Sequence, residues 1–467
     1  MQSVKRIIYN SIVLALALLF FSRLSAQENS PFSRYGLGDA YPQQNIATRG
    51  MGGISAAYSN EQSLNTINPA SYTAMRYINV FGGSKGAMVS YDFGITVDSR
   101  NLRSTDPFGN YRSTNFIPSY LHIGIPLGAK AYDKKRGAAL VFGLQPATKI
   151  HYSIDHIDKA EIDSLETLYE GNGGLNQAFI GLAKRWGNFS IGFNGGFEWG
   201  QKEISTKVIF LDTVHYYKSN SASQTHFHGF FLTPGISYQI KLNEVTLPNK
   251  NYKEGYFLKL GASGTLEQRL NANTDVLRET FEYNLDNATI AVDTVFYTTN
   301  AAGKITLPMN YTAGFMIMKK YLTPGGDPIA NKWSIGADYY AGKWSNYRFY
   351  GEPDQVQDNW IIRGGAEFVP SLLSANLWSR STYRFGFYTG KDYINADGNG
   401  YKIKALTFGI GFNVKKWSNY DNQSTLINTA IEFGKRGSNV NNVTENFFRV
   451  SLGLSLSDLW FARRKYD

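Results

Sequence analysis

Residue types able to do chemistry are thinly spread along this chain of 467 residues. It has six histidines and no cysteine, which excludes disulfides, thiolate nucleophiles and thiolate metal sites. His226 and His228 stand two apart, on one face of an extended segment. That spacing suits two ligands of a metal, but no acidic partner accompanies them, and they read as strand residues near an outer connection. Asp155, Asp158, Glu161, Asp163 and Glu166 could attract a cation. They lack the ordered Asp-x-Asp-x-Asp-Gly spacing of a calcium loop and read as a solvated acidic loop. There is no Gly-x-Ser-x-Gly elbow, no P-loop and no His-Glu-x-x-His pair. The sequence therefore assigns no catalytic residue, metal or cofactor, and the expectation is a protein that is not an enzyme.

What remains informative is the phase of the charges within alternating segments. Val450, Leu452, Leu454 and Leu456 alternate with Ser451, Gly453, Ser455 and Ser457. Similar rows run through Leu406–Asn413, Phe189–Gly200 and Val89–Val97. Successive side chains of a strand point to opposite faces, so each row has one apolar face and one of small polar residues. A soluble sandwich would turn its apolar face inward and carry bulky charges outside. A membrane barrel reverses this, with the apolar face on lipid. In that register Asp92, His122, Glu198, Lys259, Asp338, Arg363, Glu367, Arg384 and Glu432 face the lumen. Ionised groups turned to lipid at mid-membrane would cost about 2–4 kcal/mol each, less for acids. The mixed signs suit ion pairs bracing the wall or an inner segment; an aqueous path would use the same groups.

The elements that must position these charges are all-β. Segments near 86–98, 115–128, 137–149, 175–186, 188–200, 226–241, 253–268, 304–319, 331–343, 360–369, 380–390, 402–414, 424–436 and 446–458 make fourteen transmembrane antiparallel strands, or up to sixteen if 76–83 and 203–211 add their own. With the C-terminus periplasmic, the long connections 98–114, 149–174, 201–225, 269–303, 344–359 and 391–401 fall outside. The 31 Tyr, 30 Phe and 8 Trp, set against a mean hydropathy of −0.30, suit a wall apolar on one face with aromatic rims.

Lys5 and Arg6 precede an apolar run from Ile12 to Phe21 and a small-residue exit at Ser25-Ala26. The run is about half the length of a spanning helix. It reads as a signal peptide over 1–26, cut between Ala26 and Gln27, with export to a bacterial outer membrane. The net charge of +10 is a mild excess without a long basic run, so nucleic acid is not an expected partner. Membrane lipid is.

Residues 27–75 do not alternate. They carry Arg49-Gly50-Met51-Gly52-Gly53 and Asn68-Pro69-Ala70-Ser71, turn-forming clusters ahead of the barrel at 76–467. Such a segment can fold inside a barrel as a plug or remain a flexible periplasmic lead-in. Together with Ile431-Glu432-Phe433-Gly434-Lys435-Arg436-Gly437 and Phe447-Phe448-Arg449-Val450-Ser451, these motifs resemble the FadL/TodX-type transporters of long-chain fatty acids and hydrocarbons, in the version that includes PorV-like proteins. The resemblance covers essentially the whole mature chain. It implies a fourteen-stranded barrel with an N-terminal hatch, to which Arg49, Gly50, Gly52, Gly53, Asn68, Pro69 and Ala70 would belong in a structural or gating role.

Two functions follow as expectations. One is transport of a hydrophobic small molecule, which requires a continuous apolar pocket of a few hundred Å³ inside the barrel. The other is a non-transporting partner that docks secretion or other outer-membrane proteins through aromatic outer stretches such as Trp344-Ser345-Asn346-Tyr347-Arg348-Phe349-Tyr350.

Overall fold

The alternating segments join into one continuous antiparallel wall. A computed structural model describes residues 30–460 except 76, 80–84, 106–107, 128–135, 160–163, 212–215, 247–251, 285, 287, 326–327, 372–373, 375, 397, 416–423 and 439; the signal peptide expected at 1–26 lies outside the described residues. The strands are β1 (Asp39–Ala40), β2 (Tyr77–Asn79), β3 (Lys85–Thr105), β4 (Phe108–Leu127), β5 (Arg136–Lys159), β6 (Ser164–Trp186), β7 (Phe189–Phe210), β8 (Lys218–Thr246), β9 (Lys253–Thr265), β10 (Gln268–Tyr283), β11 (Thr289–Leu307), β12 (Asn310–Leu322), β13 (Pro328–Gly342), β14 (Arg348–Phe349), β15 (Asn359–Phe368), β16 (Thr382–Ala396), β17 (Asn399–Lys415), β18 (Ser424–Arg436) and β19 (Val443–Trp460).

Fourteen of them close the ring. β3 to β9 follow in order, then β12, β13 and β15 to β19. The last pairs back on the first, from Val443 opposite Ser104 to Trp460 opposite Ala87. The strand read at 304–319 is split between β11 and β12 at Pro308-Met309, because proline has no N–H to give the ladder. The segment at 203–211 is the outer end of β7, and 77–79 is a short strand on β3.

The phase is the one the alternation gives. On β19, Val450, Leu452 and Leu456 are exposed, whereas Ser451, Gly453 and Ser455 are buried. Phe93, Phe193, Leu406 and Phe408 likewise face out. A row of such residues would be unfavourable in water and is suited to acyl chains.

Five of the six expected outer connections are, among the described residues, largely strand rather than loop; only 344–359 is mostly irregular, with a 3-10 turn at Trp344–Asn346 and the two-residue β14. β8 has 29 residues, β5 has 24 and β6 has 23, against about 9–11 needed to cross a membrane. The strands continue as ladders well beyond it, on the side opposite the tight Trp186–Phe189 turn. Asp155, Asp158 and Glu166 thus lie in β5 and β6, correcting their reading as a loop; Glu161 and Asp163 fall outside the described residues.

The ring is not paired over its full height. Among the described residues, β4 and β5 pair only between Leu121–Leu127 and Ala138–Leu144. Beyond that pair stand Pro118 and Pro146, each beside a bulge, where the missing N–H ends regular pairing. Along β5 the vacated edge is taken by the N-terminal segment. Asp39 and Ala40 pair with Lys149 and Thr148, Tyr41 N donates to Ala147 O at 3.0 Å, and Ser30 N donates to His151 O at 3.1 Å.

Residues 30–75 also supply members of the buried apolar clusters. Met51, Ile54 and Tyr58 pack on Phe257, Met316 and Leu322. Leu64, Tyr72 and Met75 pack on Val141, Phe179 and Phe231. Leu37 packs on Leu175, Phe227 and Ile305. Each fully buried side chain of this size contributes about 1.5–3 kcal/mol. Since the partners come from strands around the circumference, the segment lies within the ring.

Candidate functional site

The site is the lumen, where residues 30–75 meet the inward face of the wall. One helical turn, Ile46–Arg49, is started by Asn45, whose side chain accepts from Thr48 N at 2.9 Å. Its end is a glycine cluster. Gly52 and Gly53 hold φ of +70° and +81°, a left-handed backbone that other residues reach only at a cost of about 1–2 kcal/mol. A Cβ on Gly52 would stand 2.7 Å from Gly364 O, and one on Gly50 2.9 Å from Gly409 Cα. Gly50 and Gly52 therefore let this turn touch the backbones of β15 to β17, and Gly53 packs beside the Arg363 side chain. Arg49 is buried and donates to Gln44 O at 2.9 Å, to Thr96 Oγ1 at 2.8 Å, to Ser119 Oγ at 3.4 Å and to Pro42 O.

The second motif works through its asparagine. Asn68 accepts from Ala70 N at 3.1 Å, which fixes the short helical turn Pro69–Ala74. Its amide donates to Ala56 O at 2.6 Å and across to Ile236 O of β8 at 3.0 Å. Pro69 and Ala70 lie against Gly192 of β7, where a Cβ would meet their backbone at 2.6–2.8 Å.

The charged residues read from the alternation are all buried. Three of them bind the inner segment. Asp92 accepts from Leu64 N at 2.8 Å and Ser455 Oγ at 2.9 Å. Asp338 accepts from Ser55 N at 2.5 Å and Ala56 N at 2.7 Å. Lys259 Nζ donates to Ser59 Oγ at 2.8 Å. Others brace the wall. Arg384 meets Glu367 at 3.2 Å. Glu432 meets Arg449 at 2.6 Å and accepts from Tyr388 Oη at 3.0 Å. Glu198 accepts from Gln177 at 3.0 Å, and His122 shares a hydrogen bond with Gln145 at 3.2 Å. The Arg363 guanidinium lies 5.2 Å from the Tyr340 ring centroid.

The densest charge cluster escapes the sequence reading. Asp39 meets Arg100 at 2.5 Å and Arg436 at 2.8 Å. Arg436 also meets Asp392 at 2.8 Å, and Arg100 meets Asp98 at 2.9 Å and Glu445 at 3.4 Å. Asp98 passes the chain on to Arg449 at 3.1 Å. Burial alone would raise the Asp39 carboxyl, but Arg436 and Arg100 hold it well below the usual carboxylate range. The signal was present: Asp98 and Arg100 continue the inward phase of Asp92, and Glu445 and Arg449 that of Ser451.

A cavity of about 300 Å³ remains in the lumen. Its lining mixes charged residues, among them Arg49, Glu198, Arg363, Glu432, Arg436 and Arg449, with apolar ones such as Leu175, Phe179, Phe231, Leu307 and Ile361, so apolar and charged surface interrupt one another. Among the described residues no group of three or more His, Asp or Glu is placed to hold a metal. His226 and His228 lie well inside β8, not at its start, and face outward.

Among solved structures the chain is similar to the CymD monoaromatic hydrocarbon channel, at 13% identity over 91% of this chain and 99% of that one, with a TM-score of 0.49. It is similar at the same identity and score to the Pseudomonas putida toluene transporter TodX, over 90% and 98%. A Pseudomonas aeruginosa FadL homologue is similar at 10% identity over 91% and 98%, again with a TM-score of 0.49. No curated protein matches. The model of one family, BamG, matches residues 5–467, nearly the full length, and the chain belongs to the BamG family.

Proposed function

We propose that this chain is a plugged outer-membrane barrel that serves as a docking subunit for other outer-membrane or secreted proteins. In this reading residues 1–26 are a cleaved signal peptide, 27–75 a hatch and 76–467 the barrel. The observation that carries it is the filling of the lumen: Asp39, Asp92, Asp338 and Lys259 tie the inner segment to the wall by buried charged contacts. Breaking the Asp39 ion pairs costs about 3–5 kcal/mol, and leaving a hydrogen-bonding group of the other contacts buried and unmatched costs about 1–3 kcal/mol or more, which suits a brace rather than a path. Long ladders projecting from the membrane support docking, as does a family name that hints at an outer-membrane assembly link. The PorV-like resemblance points the same way.

Transport of a hydrophobic compound is the second reading, favoured by the parted outer stretches of β4 and β5 and by the remaining cavity. The test is purification from native outer membranes in mild detergent, beside uptake of a labelled long-chain fatty acid. A stoichiometric complex without uptake supports docking. Recovery of free barrel alone, with uptake that depends on it, overturns it.

A further inference from the structure

Outside the membrane, β5, β6, β7, β8, β10 and β11 continue as one sheet. That sheet has two edges, and they differ in chemistry. The β5 edge carries Asp155, His156 and Asp158 around Ile157, and its base is occupied by residues 30–41. Charge on an edge strand is the common guard against unwanted strand addition.

The β11 edge has no such guard. Thr289–Asn300 reads Thr-Ile-Ala-Val-Asp-Thr-Val-Phe-Tyr-Thr-Thr-Asn, rich in β-branched and aromatic residues, with one charge and neither lysine nor proline. Every residue of it but Thr298 is exposed; Val295 is 70% and Tyr297 63% exposed. One side of this stretch pairs with β10. On the other side, the ladder among the described residues consists only of Ile305 and Thr306 against β14. The remaining N–H and C=O groups form a template for another strand.

We propose that β11 accepts an added strand from a different polypeptide, and that this strand places a lysine or arginine beside Asp293. Charge complementarity selects that occupant. The neighbouring acids of β10 are engaged, Glu279 by Asn220 at 2.9 Å and Glu282 by Lys218 at 2.7 Å. The Asp293 carboxylate has no ion pair among the described residues. A second copy of β11 brings no cation over 289–300, so self-pairing would leave Asp293 unmatched. The inference rests on the docking reading and names the element that carries it.

Backbone exchange tests it. Hydrogen–deuterium exchange of residues 289–300 is measured in native outer membranes and in the folded barrel stripped of its partners by a harsher detergent and salt wash. The expected result is at least about ten-fold slower exchange in membranes. Val295→Lys with Tyr297→Lys, and Asp293→Lys alone, should abolish that difference, whereas Asp293→Glu and Ile157→Lys on the β5 edge should keep it. Heat-modifiable gel mobility verifies that each variant folds. Equal exchange in both settings overturns the inference, as does protection that survives Asp293→Lys. Protection of the purified protein that rises with its own concentration also overturns it, in favour of self-association. If the barrel co-purifies with other proteins while β11 stays unprotected, strand addition fails and docking stands; if only free barrel is recovered, docking itself fails.

Discussion

Asp39 and Arg436 stand 397 positions apart in the chain and 2.8 Å apart in the barrel. The contact joins the inner segment to the penultimate wall strand, and Arg100 brings in β3 from the other side of the closure. Two guanidinium groups thus share one buried carboxylate, which makes that carboxylate the link that joins the two halves of the cluster.

Asp39→Asn should therefore loosen the inner segment without unfolding the wall. Removing one partner of a buried pair costs about 3–5 kcal/mol, here softened because Arg100 and Arg436 keep Asp98, Glu445 and Asp392. Proteolysis within residues 30–75 should accelerate by at least ten-fold, while the gel shift of the folded barrel persists. Unchanged cleavage would show that apolar packing alone holds the segment.

Gly52→Ala should destabilise the same segment by about 1–2 kcal/mol for the left-handed backbone, and more through its approach to Phe387 O and Gly364 O. Gly195→Ala is the control, since nothing lies within 4 Å of its added carbon and its φ is not positive. The comparison is read as the midpoint of local unfolding by hydrogen exchange. Equal effects would remove any special role for the Gly50–Gly53 turn.

How far the sequence carries depends on what each strand faces. Where one side meets lipid and the other the lumen, alternation is strong, and all fourteen wall strands could be placed from rows such as Leu406–Asn413. Outside the membrane both sides of a strand meet water, so the period-two signal fades. The β10–β11 hairpin for that reason reads from sequence as a connection at 269–303, although Val295-Phe296-Tyr297 has strong strand preference. Asp39 was invisible for a different reason: it sits where no periodicity exists, and its partners are remote in sequence. The parting of β4 from β5 had a visible mark in Pro118 and Pro146, but proline tells where a ladder stops, not what takes its place.

The lipid-facing assignment has its own test on β19. Leu452→Arg puts a guanidinium on the outer face, where Leu452 is 44% exposed; at mid-membrane this should cost about 2–4 kcal/mol of folding into bilayers. Ser455→Ala, on the inner face, removes only a hydroxyl that donates to Asp92 at 2.9 Å and should cost about 1 kcal/mol. Denaturant titration in lipid vesicles separates them. A larger penalty for Ser455→Ala than for Leu452→Arg would invert the register and undo the barrel reading.

Conductance separates a brace from a path. The Asp39 carboxylate ties the inner segment to Arg100 of β3 and Arg436 of β18, and the Asp338 carboxylate of β13 ties it at Ser55 and Ala56. In planar bilayers the native protein should give little steady ion current, because the segment occupies the lumen and its charges are committed to one another. Combining Asp39→Asn with Asp338→Asn releases both ties; each loss leaves hydrogen-bond donors unmatched at about 1–3 kcal/mol or more. The double variant should show frequent openings, at least ten-fold more often than the native barrel. A native barrel already conducting at the level of the double variant would mean that the lumen is open, and docking would lose the observation on which it rests.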